Sequence, residues 1–201
     1  MTVSAGHVKE LRDRTGAGMM DCKAALAEAE GDMERAVEIL RVKGQASAAK
    51  RAGRGTEEGV VSSYIHANDQ VGAMVEVQCE TDFVARSPEF KEFAYEIALH
   101  VAGTGARYIS AEDIPEEESE NERRILTEEA KEEGLPEERL DQIVEGRLAK
   151  GLKALVLLEQ EHINTDKHEG KTIEELREGL ASSTKENIRI ARFSYFRVGE
   201  E

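Results

Sequence analysis

Near Glu58 the chain changes its hydrophobic period, and that change constrains the fold more than any other feature. EGVVSSYIHANDQVGAMVEVQCE (Glu58 to Glu80) gives two strand-like runs divided by Asn68-Asp69, and in the second, Val71 to Cys79, apolar residues alternate. Alternation at period two lines one face of a strand, and a turn pair between two such runs signals a hairpin. A third run, IRIARFSYFRV (Ile188 to Val198), is β-branched and aromatic. It puts Phe193 and Tyr195 on one face and Ile190, Phe196 and Val198 on the other. A small sheet that is apolar on both faces needs cover on both. Helices of the same chain can supply one side, and a second copy packing sheet against sheet can supply the other.

The rest of the chain reads as helix. Ser4 can cap a first helix holding Val8 and Leu11, ended by Gly16; MMDCKAALAEAE (Met19 to Glu30) is a second, closed by Gly31. Asp32 caps a third, with Met33, Ala36, Val37 and Leu40 at helical spacing and Gly44 as its stop. Gln45 to Glu57 is small and basic, and reads as a linker or a fraying helix end. After the hairpin, Ser87-Pro88 opens a helix striped by Phe90, Phe93, Ala94, Ile97, Ala98 and Val101, with Gly103 at its exit. Further helices are expected near 116–133, 136–158 and 171–180. The fold class is α+β: a three-helix bundle with its basic linker over 1–52, then a core over 53–201. The core is a three-stranded antiparallel sheet packed with helices, its strands near 58–66, 70–80 and 188–198.

Charge narrows the function. The formal net charge is −15, which argues against a nucleic-acid scaffold, because phosphate binding is built on Lys and Arg. The acid concentrates between Glu112 and Glu145, where fifteen acids face Arg123, Arg124, Lys131 and Arg139; a solvated helical face explains it. Cys22 and Cys79 do not make a disulfide framework and suit reduced thiols in a cytosolic protein. Neither a signal-peptide core nor a run of roughly 20 apolar residues is present. A cytoplasmic protein with no membrane partner is expected.

No catalytic constellation emerges. TGAG (Thr15 to Gly18) follows a helix and lacks the Gly-Lys-Ser/Thr ending of a phosphate loop. His162 and His168, six residues apart, match neither the i, i+4 pair nor a compact zinc pattern, so no metal site is assigned. Met19-Met20 is different: adjacent helical positions point about 100° apart, so both are hard to bury in one stripe, and exposed Met makes an adaptable contact surface. CETDFVAR (Cys79 to Arg86) sets a Phe beside an Asp at the end of a strand, in a chain with only 4% aromatics. On the residues alone, Phe83 either folds back onto its own core or projects.

VKELRDRTGAGMMDCKAAL, then YIH with VGAMVEVQCETDFVAR, then EGRLAKGLKALVLLEQ, KTIEEL and FSYFRVGE, in that order, resemble the elongation factor Ts family over nearly the whole chain. The resemblance implies a guanine nucleotide exchange factor for elongation factor Tu, not an enzyme, and without a cofactor. It implies that the UBA-like N-terminal bundle docks on the partner's nucleotide domain through Met19 and Met20, flanked by Val8, Lys9 and Lys23. The TDFV turn (Thr81, Asp82, Phe83, Val84) would disturb the partner's Mg²⁺ site, with Phe83 as wedge and Asp82 making polar contacts beside it. The core would hold the partner's far domain. The chain lacks room for the coiled-coil insertion and second core repeat of longer members; short members pair through their sheets, which implies a homodimer and a two-plus-two complex. An alternative class is a helical adaptor whose bundle captures peptides or ubiquitin-like folds.

Overall fold

The computed structural model describes residues 4–51 and 53–200. Nine α-helices and three strands are assigned among them. The strands are β1 (Glu58–Ile65), β2 (Val71–Cys79) and β3 (Arg189–Arg197), in the order β1-β2-β3. The α+β class and the three-stranded antiparallel sheet stand as expected. The backbone divides into two compact units, each described by itself: one gathers the chain up to Tyr64 with Met74–Ala98 and Glu174–Ser194, the other Ile65–Ala73, Leu99–Ile173 and the chain from Tyr195.

In the first unit, α1 (Ala5–Thr15), α2 (Met19–Glu28) and α3 (Met33–Arg51) form the N-terminal bundle. Ser4 Oγ accepts from His7 N, and Gly16 closes α1 in the left-handed region with its N–H on Arg12 O. Asp32 caps α3 by accepting from Arg35 N at 3.0 Å. The bundle's core is small and aliphatic: Val8, Leu11, Cys22, Ala25, Leu26, Ala36 and Leu40 are among its buried residues. One expectation is corrected here. Gly44 does not stop the third helix, which runs on to Arg51. A mid-helix Gly weakens a helix by about 1 kcal/mol relative to Ala, and the Ala-rich QASAAK that follows favours continuing it.

The same unit holds α4 (Asp82–Ala85), α5 (Pro88–Thr104) through Ala98, and α9 (Ile173–Thr184) from Glu174. Along β2, Val75, Val77 and Cys79 are buried, and on α5 Phe90, Ala94 and Ile97 are too. Tyr95 of α5 meets Tyr64 of β1 edge-on at 6.0 Å, so α5 lies against the face that Tyr64 presents. Gly59 allows β1 to approach β2 closely, since a Cβ there would lie 2.2 Å from Val77 O.

In the second unit, α6 (Glu116–Glu132) and α7 (Glu137–Leu155) form an antiparallel hairpin. Its narrow seam is Ala130, Leu140 and Val144, with Leu126 and Leu135 packed on it. The acids point outward, and bridges such as Arg147–Glu133 at 2.7 Å lace the exposed sides. Gly103 is not a helix exit: α5 passes through it, and Gly105, at φ 65, does the terminating with its N–H on Val101 O at 2.9 Å. A side chain at 103 would collide with Ile163 Cδ1, so Gly103 serves close packing.

His100 is fully buried in this unit. Its Nε2 pairs with Gln160 Oε1 at 2.8 Å, and its Nδ1 accepts from Ile163 N at 3.1 Å, which makes Nε2 the protonated nitrogen. Burial, with a smaller push from His162, lowers its pKa to about 4. An unfolded His titrates near 6.5, so between the two values the unfolded chain binds the extra proton. Stability is therefore fully present above pH 6.5 and is expected to fall by up to about 3 kcal/mol as pH drops toward 4. Urea midpoints at pH 7.5, 6 and 5 for this chain and a His100→Gln variant check this, the variant losing the His100 share of the slope. The short helix α8 (Thr165–His168) returns His168 to within 4.1 Å, ring to ring, of the buried His162, a proximity that their six-residue spacing does not suggest.

Candidate partner-binding site

The strand β2 ends at Cys79, and the chain turns at once into the one-turn helix α4. Thr81 is its N-cap, extended at φ −128 and ψ 152, with Oγ1 accepting from Val84 N at 3.4 Å. The cap fixes which side chains point where. Successive helical residues step by about 100°, so when Val84 and Ala85 turn inward and are buried, Asp82 and Phe83 must face out. Phe83 is 83% exposed, the most exposed large hydrophobic side chain among the described residues. The alternative left open by the residues alone is thereby decided: the ring projects.

Of the four residues expected in this turn, Thr81, Asp82 and Phe83 are exposed and Val84 is a buried anchor. Asp82 pairs with Arg86 at 3.0 Å one turn on, an exposed ion pair of small energetic weight. Asp82 can therefore exchange that partner for another at little loss.

The second group lies on the bundle. Met19 and Met20 open α2 directly after Gly18 and are 59% and 74% exposed. Lys9 and Lys23 are exposed as well. Val8 is not: at 7% exposure it packs into the bundle core with Leu11 and Leu26. It shapes the helix that carries Lys9 and offers no surface of its own.

Neither thiol is chemically poised. Burial raises the Cys22 thiol, and burial with the nearby Glu186 carboxylate pushes Cys79 up to about 11. Both are protonated at neutral pH, which removes the thiolate a nucleophile needs.

Sequence reasoning missed what holds the turn in place. Glu80 and Glu186 exchange contacts across more than a hundred residues of chain: Glu80 Oε1 accepts from Asn187 N at 2.6 Å, while Glu186 Oε2 accepts from Glu80 N at 3.0 Å. Arg54 Nη1 donates to Glu80 Oε1 at 3.3 Å, and Asn187 Nδ2 donates to Arg54 O at 3.1 Å. No local pattern announces such a pairing. The only hint is that acidic residues flank both the end of β2 and the start of β3.

The family model described as "Elongation factor TS" matches residues 28–200. The chain is 48% identical over 201 residues to an elongation factor Ts from Pseudothermotoga lettingae, the alignment covering all of both chains. It is 52% identical over 198 residues to one from Caldanaerobacter subterraneus, with 98% of each covered. Against one from Carboxydothermus hydrogenoformans it is 50% identical over 198 residues, covering 98% of this chain and 90% of the relative. Among the described residues no helix is long and apolar enough to cross a membrane.

Proposed function

The chain belongs to the elongation factor Ts family, and on that premise we propose that it is the guanine nucleotide exchange factor for elongation factor Tu. It makes and breaks no covalent bond. GDP on such a GTPase is held by phosphate-loop amides and by a Mg²⁺ that bridges protein and phosphate. A protein that binds the nucleotide-free shape more tightly than the GDP shape weakens GDP by the same factor, because coupling between two ligands is reciprocal. GTP then refills the site by abundance.

The observation that carries this reading is the exposed Phe83 ring, set on a capped helical turn at the end of β2. Its apolar surface has no partner in its own core, and burying it contributes roughly 1.5–3 kcal/mol. That contribution is realised only when a pocket opens in the partner, so it favours the opened state. Asp82, released from Arg86, makes polar contacts beside the wedge and helps to disturb the Mg²⁺ site. Met19 and Met20, with Lys9 and Lys23 beside them and Val8 shaping the helix from within, dock the bundle on the nucleotide domain. The test is release of fluorescently labelled GDP from loaded elongation factor Tu. Acceleration that rises with this protein and saturates is expected; release at the intrinsic rate at all concentrations ends the reading.

We further propose a homodimer through the sheet, giving a two-plus-two complex. Val61, Ile65, Met74, Phe196 and Val198 are all more than half exposed on or beside the strands, more apolar surface than a solvated sheet normally carries. Light scattering at micromolar concentration should give two chain masses, and Phe196→Asp should give one. A single-chain mass for the unsubstituted protein would dispose of the dimer.

A further inference from the structure

We infer that Glu186 is a positioning residue for exchange: its one carboxylate holds the turn that presents Phe83. The inference rests on the exchange-factor reading above. Glu186 Oε2 accepts from the backbone N–H of both Glu80 and Thr81, at 3.0 and 3.1 Å, and Oε1 accepts from Thr81 Oγ1 at 2.6 Å. Three donors on two consecutive residues thus converge on one side chain. Thr81 Oγ1 in turn accepts from Val84 N, so the carboxylate orients the hydroxyl that caps α4. The chain of contacts runs from Glu186 to Thr81 to the turn that aims the ring.

The same short segment reaches the other contact surface. α9 ends at Thr184, and Lys185 takes the left-handed conformation at φ 64, where Gly is the usual occupant. Its Nζ donates to Asp21 Oδ2 at 2.9 Å, one residue beyond Met20. Arg177 Nη1 donates to Ile188 O at 2.8 Å and ties the far side of the segment back to α9. Residues 185 and 186 therefore stand between the turn of Phe83 and the start of α2. The Lys185–Asp21 bridge is exposed at both ends and of small weight by itself; the Glu186 clamp carries the positioning.

Geometry makes the consequence specific. A wedge works by reaching a pocket that exists only in the opened partner, and misplacement by about 1 Å can cost as much as a hundredfold in rate. Docking through the bundle does not use the turn. Loss of the clamp should therefore lower the plateau rate of GDP release and leave the half-saturating concentration nearly unchanged.

The experiment measures both parameters with labelled GDP on elongation factor Tu for the unsubstituted chain, Glu186→Ala, Glu186→Gln and Glu186→Ala with Phe83→Ala. Glu186→Ala is expected to reduce the plateau about tenfold or more, with half-saturation moved by less than about threefold. Glu186→Gln keeps an acceptor for the two amides and should recover most of the plateau. The double variant should be no slower than Phe83→Ala alone, because a displaced turn and a missing ring remove the same contact. Hydrogen exchange reads the clamp directly: the amides of Glu80 and Thr81 should lose protection in Glu186→Ala, with the bundle amides unchanged. An unaltered plateau, a loss seen only in half-saturation, additive effects in the double variant, or retained protection at 80 and 81 would each overturn the inference. If the unsubstituted chain itself fails to release GDP, the exchange reading falls, and amide protection still decides whether Glu186 holds the turn.

Discussion

Replacing Phe83 with alanine is expected to weaken binding to the opened partner by about 2–4 kcal/mol, roughly a 30- to 1000-fold loss of affinity. The size follows from the chemistry of the contact. A Phe ring that is 83% exposed in the free chain has almost all of its apolar area left to bury on binding, and aromatic anchors in desolvated pockets dominate interface energies. The variant should fold as well as its parent, because an exposed side chain away from core and caps changes stability by only about 0.5 kcal/mol either way. Two measurements separate the effects: affinity for nucleotide-free elongation factor Tu should fall steeply, while the urea midpoint stays in place. Exchange at the parental rate by this variant would remove the wedge and leave the family membership untouched.

The second large effect is the converse, a residue the partner never meets. Phe90 is fully buried on the first turn of α5, where its own N–H is capped by Ser87 Oγ at 3.2 Å. Phe90→Ala is expected to reduce stability by about 3–5 kcal/mol, the lost transfer energy of a ring plus the cavity it leaves. That is a large share of the roughly 5–15 kcal/mol that holds a typical domain together. The urea midpoint should drop with the slope of the transition unchanged. Exchange should decline only as far as the folded fraction declines, so raising protein concentration or lowering temperature restores it. Phe83→Ala should not respond in that way. Two phenylalanines seven residues apart thus fail differently, one at the interface and one in the core.

The contrast between these two rings marks how far the sequence could be read. Phe90 sits at helical spacing with Phe93, Ala94 and Ile97, and periodicity alone assigns it to a buried stripe. Phe83 belongs to no periodic run. Its projection depends on Thr81 capping a single turn and on Val84 and Ala85 taking the inward positions. The caps at Ser4 and Asp32 were legible for the same local reason that Phe90 was. Val8 shows the limit in the other direction: the family resemblance implied a contact there, yet its helical phase with Leu11 turns it inward.

Glycine misled twice. Gly44 and Gly103 read as helix stops, and both lie inside helices, one carried through by the alanines after it and the other kept for close approach to Ile163. A glycine raises the free energy of a helix by an amount that neighbours or packing can offset. Only where the backbone takes positive φ, as at Gly16 and Gly105, does it end one.

Taken alone, the sequence determined the elements: which stretches are helix or strand, where most of them begin, and which faces are apolar. Those properties come from forces acting within a few residues, such as side-chain period and end caps, and they are written in neighbouring positions. Tertiary structure alone decided that Glu186 reaches the amides of Glu80 and Thr81, that His168 comes back upon His162, and that the ring of Phe83 is left in solvent. Each of these joins or excludes groups that are far apart along the chain or governed by what lies across from them. A hydrogen bond spanning 105 residues exists only once both strands that deliver its ends are in place.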